Sequence, residues 1–107
     1  MLTPNPLPIR LKQARTAAKI SQKELGLRLG MDDNTASSRM NHYEKGRHTP
    51  DYQTLKRIAD ELGVPVSYFF CKSDQTAQLI CLIERLGEGD KSQLIEKLGE
   101  MVKEEKS

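Results

Sequence analysis

Apolar residues recur along the chain at spacings of three and four, with no alternating Val, Ile or Thr run and no Asn-Gly hairpin signal. That pattern predicts an all-α protein. The opening Pro4-Asn5-Pro6-Leu7-Pro8 reads as part of an extended arm over residues 1–8, since each proline restricts the residue before it. A first helix is expected from near Ile9, with Pro8 tolerated beside its first turn and Leu11, Ala14 and Ala18 facing inward. The second opens on Ser21-Gln22-Lys23-Glu24, a capping box in which the Ser hydroxyl accepts a backbone N–H and the Glu reaches back to the cap. Leu25 and Leu29 turn inward, Leu27 flanks the core, and Gly30 closes this helix.

A third helix is expected between a cap at Asp32 or Asp33 and a left-handed stop at Gly46, with Ala36, Met40 and Tyr43 as a narrow inward stripe. The fourth follows Thr49-Pro50-Asp51 and buries Leu55, Ile58, Ala59 and Leu62 before Gly63. A short fifth, from near Pro65 to Phe70, brings Tyr68 or Phe69, together with Phe70, into the core. Two more helices follow Cys71. One runs from Asp74 to Leu86 and carries Leu79, Ile80, Leu82, Ile83 and Leu86. After a turn at Gly87-Glu88-Gly89, Asp90 caps the last, which carries Leu94, Ile95, Leu98, Met101 and Val102 and frays over Lys103 to Ser107.

The outer face of the third helix carries the chemistry. Opposite its apolar stripe lie Asn34, Ser38, Asn41 and Lys45, flanked by Thr35, Ser37 and His42. These are mostly short polar residues and poor helix formers. An ordinary solvated face favours Glu, Lys, Gln and Arg, which support one another at i,i+4. This one has no acid before Glu44, at its margin. Amides and hydroxyls can pair with base edges in a major groove, whereas carboxylates are repelled by phosphate.

Composition changes the picture in three places. The net charge of +2 is divided unevenly: residues 1–70 hold eleven Lys and Arg against seven Asp and Glu, residues 71–107 six against eight. The basic part suits phosphate and the acidic part does not. Aromatic residues make up 5% with no Trp, which argues against a stacking platform for single strands. No apolar run approaches the roughly 18 residues of a membrane span, and Met1 to Arg10 lacks the basic start of a secretory signal.

Cys71 and Cys81 lack nearby ligand partners, and His42 and His48 lack a third, so no metal and no other cofactor is expected. The cysteines read as reduced, largely buried thiols of a cytoplasmic protein. Paired carboxylates, a Ser/His/Asp set and a glycine-rich phosphate loop are all lacking in the sequence, so an enzyme is not indicated.

Leu11…Arg15, Ile20-Ser21-Gln22-Lys23-Glu24-Leu25, Leu29-Gly30, Tyr43-Glu44-Lys45-Gly46-Arg47, Thr49-Pro50 and Leu55…Ile58-Ala59…Leu62-Gly63-Val64 stand in an order and spacing that resembles the Cro and phage-repressor, or XRE, family. The resemblance covers residues 9–70. It implies a five-helix lambda-repressor-like DNA-binding domain, followed here by a two-helix C-terminal extension over 71–107. The second and third helices would form a helix-turn-helix, with the third in the major groove of double-stranded DNA.

Carried over from that resemblance, Ser37, Ser38, Asn41 and His42 read base edges. Gln22, Lys45, Gly46 and Arg47 hold phosphate, Gln22 at a helix N-terminus that favours anions. Arg15 and Glu44 form a buried structural ion pair. Arg39 has three readings: a guanine, a phosphate or an internal salt bridge. The sequence departs from the family at Met31-Asp32-Asp33-Asn34, which separate Gly30 from Glu44 by fourteen positions. If they extend the helix, Asn34 and Thr35 reach the groove; if they extend the turn, those two face phosphate or solvent.

The last two helices present apolar stripes broader than a lone hairpin can bury. A homodimer through residues 74–103 is therefore expected, with recognition helices about 34 Å apart on a palindromic operator. The leading reading is a repressor, with no small-molecule effector indicated. The competing one is an antitoxin or other interaction protein whose C-terminal helices bind a protein partner.

Overall fold

The computed structural model describes residues 5–106. It consists of α1 (Leu7–Ala17), α2 (Gln22–Arg28), α3 (Ala36–Glu44), α4 (Tyr52–Leu62), α5 (Asp74–Glu84) and α6 (Glu88–Lys106), with a 3-10 helix (Val66–Phe70) between α4 and α5. Among the described residues there is no strand.

α1 begins at Leu7, two residues ahead of the expected start. Asn5 Oδ1 accepts the Leu7 N–H at 3.1 Å, and Pro8 sits in the first turn, where its missing N–H costs nothing. Leu7 is buried in the core. The helix thus takes in Leu7 and Pro8 of the expected arm, whose residues 1–4 lie outside the described ones. α1 stops where Lys19 takes a φ of 60°, a left-handed conformation unusual for a residue other than glycine.

Ser21 caps α2, its hydroxyl accepting the Glu24 N–H at 3.0 Å. Glu24 does not return the bond expected of a capping box. Its Oε1 accepts instead from Arg28 Nε at 3.0 Å, one turn along.

The four residues ahead of α3 lengthen the turn and not the helix. Asp32 organises that turn. Its carbonyl accepts from the Thr35 and Ala36 N–H groups at 3.0 and 2.9 Å, and its Oδ2 accepts from the Asn34 N–H at 3.1 Å. The formal cap is Thr35, whose side chain makes no capping bond, so neither Asp32 nor Asp33 caps α3 in the manner expected. Asp33 lies 3.4 Å from Lys23 across the turn. At the other end, Gly46 has a φ of 75°, which a β-carbon would oppose.

Leu11, Leu25, Met40, Ile58 and Phe69 form the centre of the core and are almost entirely sequestered. A 3-10 helix repeats every three residues, so Phe69 shares its inward face with Val66 and turns Phe70 outward. Phe70 is accordingly 54% exposed, contrary to its expected core position. Asp51 caps α4, accepting the Thr54 N–H at 2.8 Å, and Gly63 ends it at a φ of 71°.

α5 packs on the 3-10 helix and buries Ala77. Arg10 pins its start. That buried guanidinium donates to the Cys71 carbonyl at 2.9 Å and to Asp74 Oδ1 at 2.8 Å, and lies 5.9 Å from the centre of the Tyr68 ring. α6 begins at Glu88, so Glu88 and Gly89 fall in its first turn instead of in a separate turn, and Asp90 stands inside the helix. It is helical as far as Lys106, and Ser107 lies outside the described residues. No residue of α6 whose side chain is described is fully buried; Lys91 and Leu94 are half-buried and the rest of its apolar stripe is exposed. The molecule is correspondingly elongated, at 56 × 38 × 22 Å.

Candidate nucleic-acid interface

The geometry of the interface starts from the contact between α2 and α3. A β-carbon built on Gly26 would stand 2.7 Å from the Ala36 β-carbon and 3.0 Å from the Ala36 carbonyl oxygen. Only glycine permits this approach, which holds α3 by its first residue. Ala36, Met40 and Tyr43 then turn into the core. The opposite side of a nine-residue helix is left facing outward.

Ser37, Ser38 and Arg39 are exposed on that side, and Asn41 and His42 are half-buried. Arg39 has no hydrogen bond or ion pair among the described residues, so the internal salt bridge considered for it is not formed. His42 stacks edge-on against His48, with ring centres 4.9 Å apart, and its carbonyl accepts the Arg47 N–H at 2.9 Å. Asn34 and Thr35 lie in the exposed turn before the helix, which removes them from the groove-facing row. Lys45, Gly46 and Arg47 follow α3 as an exposed basic turn.

Glu44 is the only acid of α3, and it is buried. Arg15 meets it side-on, with Nε 2.6 Å from Oε2 and Nη2 3.1 Å from Oε1. The remaining Arg15 nitrogen donates to the Ile20 carbonyl at 2.8 Å. The carboxylate that would repel DNA is therefore turned inward and matched, and it ties α1 to the end of α3. Paired donors to both oxygens give this buried ion pair its bidentate geometry.

Gln22, at the start of α2, lies against the end of α3. Its Nε2 donates to Glu44 Oε1 at 3.0 Å and to Asn41 Oδ1 at 3.3 Å. Both amide hydrogens are thus engaged within the protein. Beside it runs a groove of about 670 Å3 between α1 and the end of α3, flanked by Lys12 and Lys45 with Gln22 and Asn41 along it.

Two residues with a part in the site escaped the sequence reading. Gly26 lay inside a helix with no turn signal, and only its partner Ala36 explains it. Lys12 carried no motif, and its place beside Lys45 follows from how α1 crosses α3. Among the described residues no cluster of three metal-binding side chains occurs, and no helix is long and apolar enough to cross a membrane.

A sequence model of the helix-turn-helix family matches residues 11–69. An uncharacterized HTH-type transcriptional regulator of Sinorhizobium medicae (strain WSM419) is 37% identical over 71 residues, or 63% of this chain and 48% of its own. An uncharacterized transcriptional regulator in the ATPase CF(0) region of Rhodospirillum rubrum is 36% identical over 61 residues, 57% of this chain and 53% of its own. The chain spans about half the length of these curated relatives. Among solved structures, that of the transcriptional regulator BswR superposes with a TM-score of 0.80 at 41% identity. It covers 88% of this chain and 93% of that one, a share too large for the helix-turn-helix unit alone.

Proposed function

The chain belongs to the helix-turn-helix family of the Cro and phage-repressor (XRE) type, and on that premise we propose that it binds double-stranded DNA sequence-specifically and regulates transcription. The observation that carries this reading is the outer side of α3: exposed hydroxyls of Ser37 and Ser38 beside the half-buried Asn41 and His42, with the helix's one acid buried. Such a row can enter the major groove without repulsion from phosphate. Ser37, Ser38, Asn41 and His42 face base edges in this reading, and Arg39 has a free guanidinium for a guanine or a phosphate. Lys45, Arg47 and the Gly46 backbone hold the strand beyond the helix, while Asn34 and Thr35 border it from the turn.

The active species in this proposal is a homodimer. Leu79 and Leu82 on α5, and Ile95, Leu98, Met101 and Val102 on α6, are 43% to 71% exposed. On α6 they recur at spacings of three and four, the seam by which one helix packs along another. A second copy covers both seams at once, and its twofold axis places two α3 helices about 34 Å apart on a palindromic site. We read the effect as repression, since a dimer lying across an operator excludes other proteins from that DNA by occupancy.

Selection of bound sequences from random duplex DNA tests the proposal. The expected result is enrichment of one motif with two inverted half-sites. Lys45→Ala should weaken binding to all sequences alike and flatten its salt dependence, as loss of a phosphate contact does. Failure to enrich any motif, with the protein folded, would overturn it.

A further inference from the structure

The amide of Asn41 is polarised by a charge it does not touch. Arg15 is ion-paired to the Glu44 carboxylate, whose oxygens can only accept hydrogen bonds. The end of Gln22 that meets Glu44 must therefore be its NH2 group. The second hydrogen of that group then points at Asn41, which must present its oxygen in return, at 3.3 Å. Turning either amide over would set two oxygens or two NH2 groups against each other. The sequence of partners thus fixes both orientations.

With its oxygen aimed inward at Gln22, Asn41 turns its Nδ2 away, and that nitrogen donates to no group among the described residues. An asparagine reads adenine by giving one hydrogen bond to N7 and taking one from N6, which requires both amide ends to face the groove. Guanine presents two acceptors there, N7 and O6, and thymine presents O4.

We propose that Arg15 and Glu44, acting through Gln22, make Asn41 a donor-only reader that selects guanine or thymine and disfavours adenine. This inference rests on the DNA-binding reading above. Gln22 is a positioning residue in it, and Asn41 is the group that touches the base.

The acceptor could also belong to a phosphate, because Lys12 and Lys45 flank the same groove. Selection from random duplex DNA separates the two sources. For the base-reading proposal, Asn41→Ala should relax discrimination at one base pair per half-site by about tenfold. At that pair the unaltered protein should prefer guanine or thymine. Gln22→Met, which fills similar space and cannot donate, should free the amide to rotate and admit adenine at the same pair.

A wild-type preference for adenine there would overturn the proposal, whatever the stability of the variants. So would an Asn41→Ala loss that is equal on all sequences and lowers the salt dependence, since that marks a phosphate contact. Retention of the preference in a folded Gln22→Met protein would also overturn it. These outcomes leave the DNA-binding reading intact. Failure of the unaltered protein to select any sequence removes that reading and this inference with it.

Discussion

Gly26 and Ala36 touch so closely that a β-carbon on the first would lie 2.7 Å from that of the second. Helix propensity alone favours Gly26→Ala by about 1 kcal/mol. Overpacking against Ala36, whose backbone also lies at 3.0 Å, opposes that gain with about 1–3 kcal/mol. The expected net outcome is a lower unfolding midpoint in denaturant, partly restored by adding Ala36→Gly. A melting curve unchanged by Gly26→Ala would show that the two helices can part without cost.

Removing one half of the buried ion pair should be costly. Arg15→Ala leaves the Glu44 carboxylate buried with only Gln22 to donate to it, and an expected loss of about 3–5 kcal/mol in equilibrium unfolding. Replacing both partners by methionine should cost far less, because no charge is then stranded. Equal losses for the single and double variants would contradict that explanation.

Arg10 and Asp74 form an ion pair whose two ends should behave differently. Asp74 is exposed, so Asp74→Ala is expected to change stability by less than about 1 kcal/mol. Arg10→Met leaves the buried Cys71 carbonyl without its donor, an effect of about 1–3 kcal/mol. Hydrogen exchange in α5 should quicken in the Arg10 variant and hardly change in the Asp74 variant.

Leu98→Asp tests the association proposed through α6. Sedimentation of the unaltered chain should give a dimer at micromolar concentration, and the variant a monomer with an unaltered helix-turn-helix. A monomer in both cases would remove the dimer. A dimer in both would place its interface elsewhere.

Cys81, on α5, lines a groove shared with Lys56 and Ala59 of α4 and offers a pH-dependent probe of it. Burial pushes its thiol pKa above the usual value, with Arg85 opposing the shift only in part. Less thiolate is therefore present at neutral pH than on a free cysteine. Alkylation by iodoacetamide should be slower than for a free thiol at pH 7 and accelerate as the pH rises through that higher value. A rate matching the free thiol at pH 7 would contradict the shift.

The helical framework was legible because its signals are local. Ser21, Asp51, Gly46 and Gly63 cap or end helices through their own side chains or dihedral angles. The inward stripe of α3 follows from spacing, and the Arg15–Glu44 pair follows from the family resemblance. What escaped depends on residues far apart in sequence. Gly26 is explained only by Ala36, Arg10 only by Cys71 and Asp74, and the commitment of Gln22 only by Glu44 and Asn41. The outward turn of Phe70 was missed for a different reason, a period of three where the apolar run suggested an α-helix.

α6 holds nineteen residues in a helix and buries none of those described. Helices of roughly 12–15 residues are marginal in water without tertiary support, and this one is only modestly longer. A lone chain should therefore lose order from its outer end inward on warming, before the globular part gives way. Its circular dichroism would begin to fall at temperatures where the signal of the buried Tyr43 ring is still unchanged.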